Sequence, residues 1–285
     1  MAFPAAKAIA NISPAALAAH LGPGGPSTPL LLRGLVGHWP AMREWANSSS
    51  PTPSSSSSAS PASRTLDFGG LAGLRAQVGE DTAVDVEVGP RGRGYLDPEW
   101  QRITMGFGLF LDAFVLNRIP SSDPRSLPVG YLAQADLLDP NTHPALCASV
   151  PELAHYKALN GDIYRRTLWI GPAGSFTPFH RDPNAGLYTQ VLGSKVFHLA
   201  PPDARDKLRP STSALHGNTS TAPTYTRELL RDGGEWTSVL DAVGRMEGAC
   251  EARLEEGDSV LIPARWWHSA EGVGGAGVGV NAWFR

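Results

Sequence analysis

The sequence predicts a mainly β protein with flanking helices, in which an antiparallel sandwich or barrel follows a mixed α/β amino-terminal part. Three observations support this prediction. The 31 Gly and 25 Pro interrupt the chain too often for many long helices. Hydrophobic residues make up 42% of the 285 residues and charged residues 18%, which is enough to bury a sizeable core. From Leu168 onward, short apolar runs recur at the spacing of antiparallel β proteins.

The amino-terminal part mixes helices and strands. Residues 13–21 begin with a Ser-Pro pair, which predicts a capped helix start. The apolar run 29–35 predicts a buried strand, and strict alternation over 84–88 predicts another. An apolar stripe within 105–117 predicts a helix. Residues 48–63 are rich in Ser and Pro and cannot bury apolar surface, so a disordered surface insertion is expected there.

The carboxy-terminal part is predicted to be almost all β, with one helix near Trp236–Val243. The pair Gly193-Ser194 is typical of a two-residue hairpin turn, so it is expected to join two antiparallel strands. The predicted strands cover 168–170, 187–192, 195–200, 259–262 and 277–284.

Composition and charge argue against several classes of protein. The net charge is −3, whereas nucleic-acid binders are typically basic, so a nucleic-acid partner is not expected. No apolar run approaches the ~20 residues of a membrane span, and the start lacks the pattern of a secretory signal. We therefore expect an intracellular protein without membrane association. Cys147 and Cys250 lack metal-type spacing, which excludes a cysteine zinc site and leaves at most a single disulfide.

The residues that suggest chemistry are His180, Asp182 and His268. In an extended segment, residues i and i+2 point to the same side, so His180 and Asp182 can present an imidazole and a carboxylate together. His268 follows a predicted buried strand, and it completes a set of two imidazoles and one carboxylate if that strand lies alongside. Such a set suits Fe(II) with open coordination positions. The same spacing also fits a surface hydrogen-bonded pair and a separate core histidine.

Lys195 is the second residue of interest. Alternation places it on one face with Phe197 and Leu199, and an unpaired ammonium on an apolar face is very costly. The lysine therefore needs an anion, or else it lies at the strand end and extends to water.

Five segments give the chain a resemblance to the JmjC (cupin-like) oxygenases, which use Fe(II) and 2-oxoglutarate. The segments are Gly171–Gly174, Thr177–Pro183, Gln190–Lys195, Gly257–Pro263 and Trp266–His268. Further segments resemble one branch of that family, the lysine-specific demethylase 8 or protein arginyl hydroxylase type. They are Leu35–Pro40, Val86–Gly89, Asp97–Trp100 and Gly130–Gln134. The resemblance spans residues 10–285 apart from the Ser/Pro insertion.

This resemblance implies a single domain over 1–285 with a double-stranded β-helix (jelly-roll) core at 131–285 and the α/β part at 1–130. It implies that Fe(II) is held by His180, Asp182 and His268. It implies that the distal carboxylate of 2-oxoglutarate is bound by Lys195, Tyr131 and Thr177. The pocket lining that it implies consists of Trp169 and Trp283, and the implied substrate contacts are Glu87 and Trp100.

Two departures from the family pattern are visible in the sequence. The family commonly has an asparagine four residues after the aspartate ligand, where this chain has Gly186. Asn184 and Asn281 are the two candidates to supply an amide to the co-substrate instead. The stretch 91–95 is also longer than usual, close to the residues implied to contact the substrate.

The function that the resemblance implies is hydroxylation of a protein or peptide side chain, with arginine favoured, or demethylation of methyl-lysine or methyl-arginine. Two alternatives stay open. Gly277–Asn281 is compatible with a hydroxylase of a modified tRNA base, although the acidic balance argues against it. A catalytically silent scaffold is the other, although the ligand set and the lysine are all present. The nucleus, the cytoplasm or both are the expected compartments.

Overall fold

Strands form most of the regular structure in the computed structural model of the protein, which describes residues 3–45, 68–91, 95–118, 120, 127–222 and 235–285. The insertion predicted at 48–63 lies outside the described residues. The strands are β1 (Ala8–Ala10), β2 (Leu30–Arg33), β3 (Ala83–Gly89), β4 (Gln101–Gly106), β5 (Val129–Ala135), β6 (Ile163–Gly171), β7 (Phe176–Arg181), β8 (Ala185–Ala200), β9 (Cys250–Leu254), β10 (Ser259–Ile262) and β11 (Trp267–Phe284).

The helices are short and surround the strands. They are α1 (Pro14–Leu21), α2 (Ala41–Glu44), α3 (Phe68–Val78), α4 (Phe107–Phe110), α5 (Pro144–Ser149), α6 (Arg205–Leu208) and α7 (Glu235–Gly244). A π-helical turn, Leu111–Val115, continues α4, and 3-10 turns cover Ala154–Lys157 and Pro202–Ala204. Among the described residues, none of these helices has the length and hydropathy needed to cross a bilayer.

The strands belong to one large sheet in the order β1-β2-β10-β8-β11-β6-β5-β3-β4, with β7 also on β11 and β9 also on β8. All of these pairings are antiparallel except that of β1 with β2. The predicted mainly β class is therefore confirmed, and the arrangement is consistent with a jelly roll.

The long strand β11 bends sharply alongside β8, and this bend shapes the interior. His268 and Trp283 lie 15 residues apart on β11, which would be about 50 Å in a straight strand. Both side chains nevertheless reach the Asp182 carboxylate, at 3.8 and 2.7 Å. The register of β11 against β8 breaks between Val273 and Val278, and Gly274 has a φ of 80°. The bend therefore lies in this glycine-rich stretch, and the sheet curves around an interior.

The hairpin predicted at Gly193-Ser194 is wrong. β8 runs through these residues without reversing, and it exchanges β10 for β9 as a neighbour across them. Gly193 has a φ of 71°, and a Cβ there would lie 2.4 Å from the carbonyl oxygen of Ala276 on β11. The glycine thus permits a bend where the bent β11 backbone approaches closely, and the chain does not turn back.

The amino-terminal elements follow the predictions closely. The Ala16 backbone N–H donates to the Ser13 hydroxyl at 3.1 Å, which confirms the predicted cap of α1. Leu30, Leu31 and Leu32 of β2 are buried, as the apolar run predicts. The helix predicted from residue 105 begins only at Phe107, because the two preceding residues extend β4 and pair with β3.

Buried side chains of the described residues form three clusters, and two of them position the site. One cluster packs helices of the amino-terminal part against the sheet, with Leu17, Trp39, Trp45, Phe110 and Phe284 among its members. The other is rich in aromatic rings and lies on the inner side of the curved sheet. Its aromatic members are Tyr131, Trp169, Tyr188, Phe197, Trp266 and Trp283. The second cluster surrounds the cavity described next.

Candidate active site

Three potential metal ligands converge on the inner side of the curved sheet. His180 is the second-to-last residue of β7, Asp182 follows directly after the strand, and His268 lies opposite His180 in the β7–β11 register. One donor atom from each residue lies within 4.8 Å of the other two. The imidazole rings of the two histidines have centroids 4.1 Å apart. Pairing of β7 with β11 therefore brings His268, which is distant in sequence, next to His180 and Asp182.

Backbone carbonyls fix the orientation of both imidazoles. Nδ1 of His180 lies 2.9 Å from the Pro178 carbonyl oxygen, and Nδ1 of His268 lies 3.1 Å from that of Trp266. A carbonyl only accepts, so Nδ1 of each ring is the donor in these contacts, and Nε2 of each ring is the nitrogen left for a metal. Orientation of ligand histidines through the second ring nitrogen is the usual arrangement in metal sites.

The local electrostatics favour the protonation states that bind metal. Burial raises the pKa of Asp182, but the two neighbouring imidazoles and the Trp283 indole outweigh burial and lower it overall. Burial, together with the adjacent His180, lowers the pKa of His268 to about 4. Neutral imidazole and ionised carboxylate are the forms in which these side chains coordinate a cation.

A buried lysine lies at the other end of the same cavity. Lys195 is 5% exposed, and its Nζ donates to the Tyr131 hydroxyl at 3.0 Å. The rings of Tyr188, Tyr131 and Trp169 surround this ammonium, with centroids 4.9, 5.2 and 5.9 Å away. Burial lowers the pKa of Lys195 to about 7. No carboxylate of the described residues forms an ion pair with it, so the site lacks the anion that a buried ammonium requires.

Most of the predicted site residues line this one cavity. The side chain of Tyr131 is hydrogen-bonded to that of Thr177, which lies beside it. The predicted residues in the lining are His180, Asp182, His268, Lys195, Tyr131, Thr177, Trp169, Asn281 and Trp283. Asn184, Glu87 and Trp100 are not part of this lining.

The two candidate asparagines differ in position. Asn184 is half-buried just before β8, outside the lining. Asn281 is buried within the lining, and its side-chain oxygen has no hydrogen-bond partner among the described residues. That oxygen lies 3.7 Å from where a Cβ of Gly186 would be. Asn281 thus offers a polar group to the cavity close to the position where the family commonly has its asparagine.

Glu87 lies next to the cavity on β3, and Trp100 lies just before β4. Glu87 on β3 is opposite Tyr131 in the sheet, and it accepts a hydrogen bond from Arg102 at 3.2 Å. Burial raises the pKa of Glu87, although Arg102 opposes this effect. Trp100 packs against the aromatic cluster and covers Gly89, where a Cβ would lie 2.5 Å from the indole.

Sequence reasoning missed two tyrosines near the site. Tyr188 lines the cavity and forms part of the wall around Lys195, and its place two residues after Gly186 on β8 could have revealed it. The Tyr95 hydroxyl lies 2.9 Å from the Thr219 hydroxyl, in a loop that bridges to His180. Burial raises the pKa of Tyr95 to about 12. No short motif around Tyr95 indicates this contact, because its partner is distant in sequence.

Comparisons with known proteins agree with this geometry. A family model described as a cupin-like domain matches residues 25–285. Lysine-specific demethylase JMJ30 of Arabidopsis thaliana is 28% identical over 243 residues, which cover 85% of this chain and 47% of that protein. Lysine-specific demethylase 8 of Xenopus tropicalis is 26% identical over 245 residues, or 85% of this chain and 45% of that protein. The chain spans about half the length of these two relatives.

A shorter part of the chain is similar to a protein that is not named as a demethylase. Human HSPB1-associated protein 1 is 30% identical over 120 residues, which cover 41% of this chain and 23% of that protein.

Proposed function

Because this chain belongs to the cupin-like domain family, we propose that it is an Fe(II)- and 2-oxoglutarate-dependent oxygenase that hydroxylates a protein side chain, with arginine as the favoured target. One observation carries the proposal. A single cavity has a set of two histidines and one aspartate at one end and a buried, aromatic-lined lysine without an anion at the other.

The donor set fits iron. Two neutral imidazoles and a carboxylate form the facial set that binds non-haem Fe(II) and leaves positions open. His180, Asp182 and His268 would hold the metal, and the carbonyls of Pro178 and Trp266 already orient the two rings. Cysteine is absent from the cavity lining, so the donor set does not favour a structural zinc site.

The opposite end fits a dicarboxylate co-substrate. Lys195 would pair with the distal carboxylate of 2-oxoglutarate, and the hydroxyls of Tyr131 and Thr177 would donate to the same group. The unpartnered oxygen of Asn281 marks a further polar point along the cavity. Trp169 and Trp283 would form the apolar walls.

When bound, iron and 2-oxoglutarate supply the oxidising chemistry, in which O2 hydroxylates a C–H bond and succinate and CO2 are released. The residues of the chain position the reactants. The two histidines and Asp182 hold the metal at one fixed point, and the lysine end sets the direction of the co-substrate. The aromatic walls exclude water from the reacting carbon.

The Glu87 carboxylate next to the cavity favours arginine as the substrate side chain. Glu87 is a largely buried carboxylate that already accepts a guanidinium, that of Arg102, whose side chain is 65% exposed. A substrate guanidinium could take the place of Arg102, with Trp100 as an aromatic wall. Demethylation of methyl-lysine or methyl-arginine would be the same C–H step on an N-methyl carbon.

The test is peptide hydroxylation followed by mass spectrometry. The protein is incubated with Fe(II), 2-oxoglutarate and either a library of arginine- and methyl-lysine-containing peptides or total tRNA, and succinate release is measured in parallel. We expect one oxygen atom to be added at arginine. Glu87→Gln should reduce peptide turnover strongly and leave 2-oxoglutarate affinity unchanged. Oxygen addition only to tRNA, or no succinate with any substrate, would contradict the proposal.

We also propose that the protein works in the nucleus or the cytoplasm. Cys147 and Cys250 are both free thiols. Reduced cysteines fit the reducing conditions of these compartments. Fractionation of cells that express a tagged protein would test this assignment.

A further inference from the structure

One indole in the cavity bonds directly to a candidate metal ligand. Trp283, near the end of β11, is 8% exposed, and its Nε1–H donates to Oδ2 of Asp182 at 2.7 Å. The other indole of the pocket differs in this respect, because Nε1 of Trp169 donates to the Thr167 hydroxyl at 2.9 Å. Both tryptophans therefore line the cavity, but of the two only Trp283 donates a hydrogen bond to a candidate metal ligand.

We infer that Trp283 is a positioning residue for the metal centre, and that Gly186 is the residue that makes room for it. This inference rests on the proposed function, since it assumes that Asp182 binds a metal. It assigns to Trp283 a role beyond lining the pocket.

Gly186 is directly opposite Trp283 in the pairing of β8 with β11. A Cβ at Gly186 would lie 3.8 Å from both Cδ1 and Nε1 of the indole, which is ordinary contact distance. Gly186 does not have a positive φ, so the backbone itself does not demand glycine there. The Asn281 Oδ1 lies 3.7 Å from the same Cβ position, so a side chain longer than Cβ would have to fit between the indole and this oxygen. Space beside Trp283 is therefore a reason for glycine that does not depend on backbone conformation.

The hydrogen bond matters because the Asp182 carboxylate is otherwise weakly held. The Asp182 carbonyl accepts from the Arg265 backbone N–H at 2.7 Å, which fixes the main chain. The Asp182 side chain is 21% exposed. Among the described residues, the Trp283 indole is the group that donates a hydrogen bond to its carboxylate. Outer-shell bonds of this kind orient a ligand, and their loss typically weakens metal affinity about 10- to 100-fold.

The test is binding of Mn(II) to the full chain, measured by calorimetry without 2-oxoglutarate. Trp283→Phe keeps an aromatic ring and removes the N–H, and it should weaken Mn(II) binding about 10- to 100-fold. Trp169→Phe is the matched control and should bind Mn(II) like the wild type. Gly186→Ala should also bind normally, whereas Gly186→Asn should weaken binding because it displaces an indole that is itself unmutated.

Two further readouts separate positioning from damage to the fold. The melting temperature of metal-free Trp283→Phe should stay near that of the wild type. The visible absorption spectrum of bound Co(II) should change in Trp283→Phe and Gly186→Asn and stay unchanged in Trp169→Phe. Wild-type Mn(II) affinity in Trp283→Phe, or equal losses in both tryptophan variants, would overturn the inference. Failure of the wild type to bind Mn(II) or Co(II) would instead overturn the proposed function.

Discussion

The two ends of the cavity are prepared for their ligands in different ways. At the proposed metal end, hydrogen bonds hold both imidazoles and the carboxylate, and the pKa values of His268 and Asp182 are both lowered. At the lysine end, Lys195 has aromatic rings and one hydroxyl around it, and burial lowers its pKa to about 7. At the first end the polar side chains have hydrogen-bond partners within the protein, whereas at the second the Lys195 ammonium has no counterion among the described residues.

This difference implies that the two ends make opposite contributions to the stability of the empty protein. Desolvation of an ammonium without a counterion costs free energy that the fold must supply. Binding of a dicarboxylate would recover that cost. Four predictions test the contrast, from the largest expected effect to the smallest.

Replacing a ligand at the metal end should abolish the reaction. His180→Ala or His268→Ala removes one of three metal donors, so succinate release from 2-oxoglutarate should fall to background. The measurement is a succinate assay at saturating Fe(II). Circular dichroism should show the fold intact in both variants, and undiminished turnover in either one would refute the ligand assignment.

Replacing the lysine should affect the co-substrate and spare the metal. Lys195→Met leaves a desolvated carboxylate unpaired, a loss of about 3–5 kcal/mol. The affinity for 2-oxoglutarate should therefore fall at least about 100-fold, at roughly a decade per 1.4 kcal/mol. Calorimetry with 2-oxoglutarate and, separately, with Mn(II) checks both parts. An unchanged 2-oxoglutarate affinity would place the co-substrate elsewhere.

The same variant should stabilise the empty protein. The pKa of Lys195 is lowered by burial from 10.5 to about 7 in the folded state, so the unfolded chain binds more protons between these values. The free energy of unfolding of the wild type should therefore rise with pH across this window. Lys195→Met lacks this dependence and should be more stable at pH 7 by up to about 4 kcal/mol, at about 1.4 kcal/mol for each pH unit that separates the two pKa values. Urea unfolding at pH 7 and pH 9.5 measures both effects, and equal stability at both pH values in the wild type would contradict them.

Binding of 2-oxoglutarate should itself depend on pH. The charged ammonium is the form that attracts the carboxylate, and its population in the empty protein falls as pH rises above about 7. Affinity should decrease by at most about tenfold per pH unit above that value, with proton uptake on binding. Calorimetry at pH 8 in buffers of different ionisation enthalpy detects the uptake. Lys195→Met serves as the control that should show none.

The sequence was informative where local spacing decides geometry. The i, i+2 spacing of His180 and Asp182, and the alternation that turns Lys195 inward with Phe197, both follow from the period of a strand. The mainly β class followed from the density of Gly and Pro. These features depend on neighbours in the chain, so one sequence suffices to predict them.

The sequence was misleading or silent where distant strands decide geometry. A Gly-Ser pair has the same local chemistry in a hairpin and in a bend, and only the approach of Ala276 at 2.4 Å from a Cβ of Gly193 distinguishes them. The bond from Trp283 to Asp182 joins residues 101 positions apart. No periodicity reports such a contact, because it depends on the bend in β11.

The bend in β11 also bears on when the site forms during synthesis of the chain. A polypeptide emerges from the ribosome amino-terminus first. A chain synthesised only as far as residue 270 already contains both histidines and Asp182. It lacks the second half of β11, which pairs with β6 and carries Trp283 to the Asp182 carboxylate. Completion of the proposed metal centre is thus deferred until the second half of β11 docks, so on this proposal a nascent chain gains its full affinity for metal only after β11 has paired with β6.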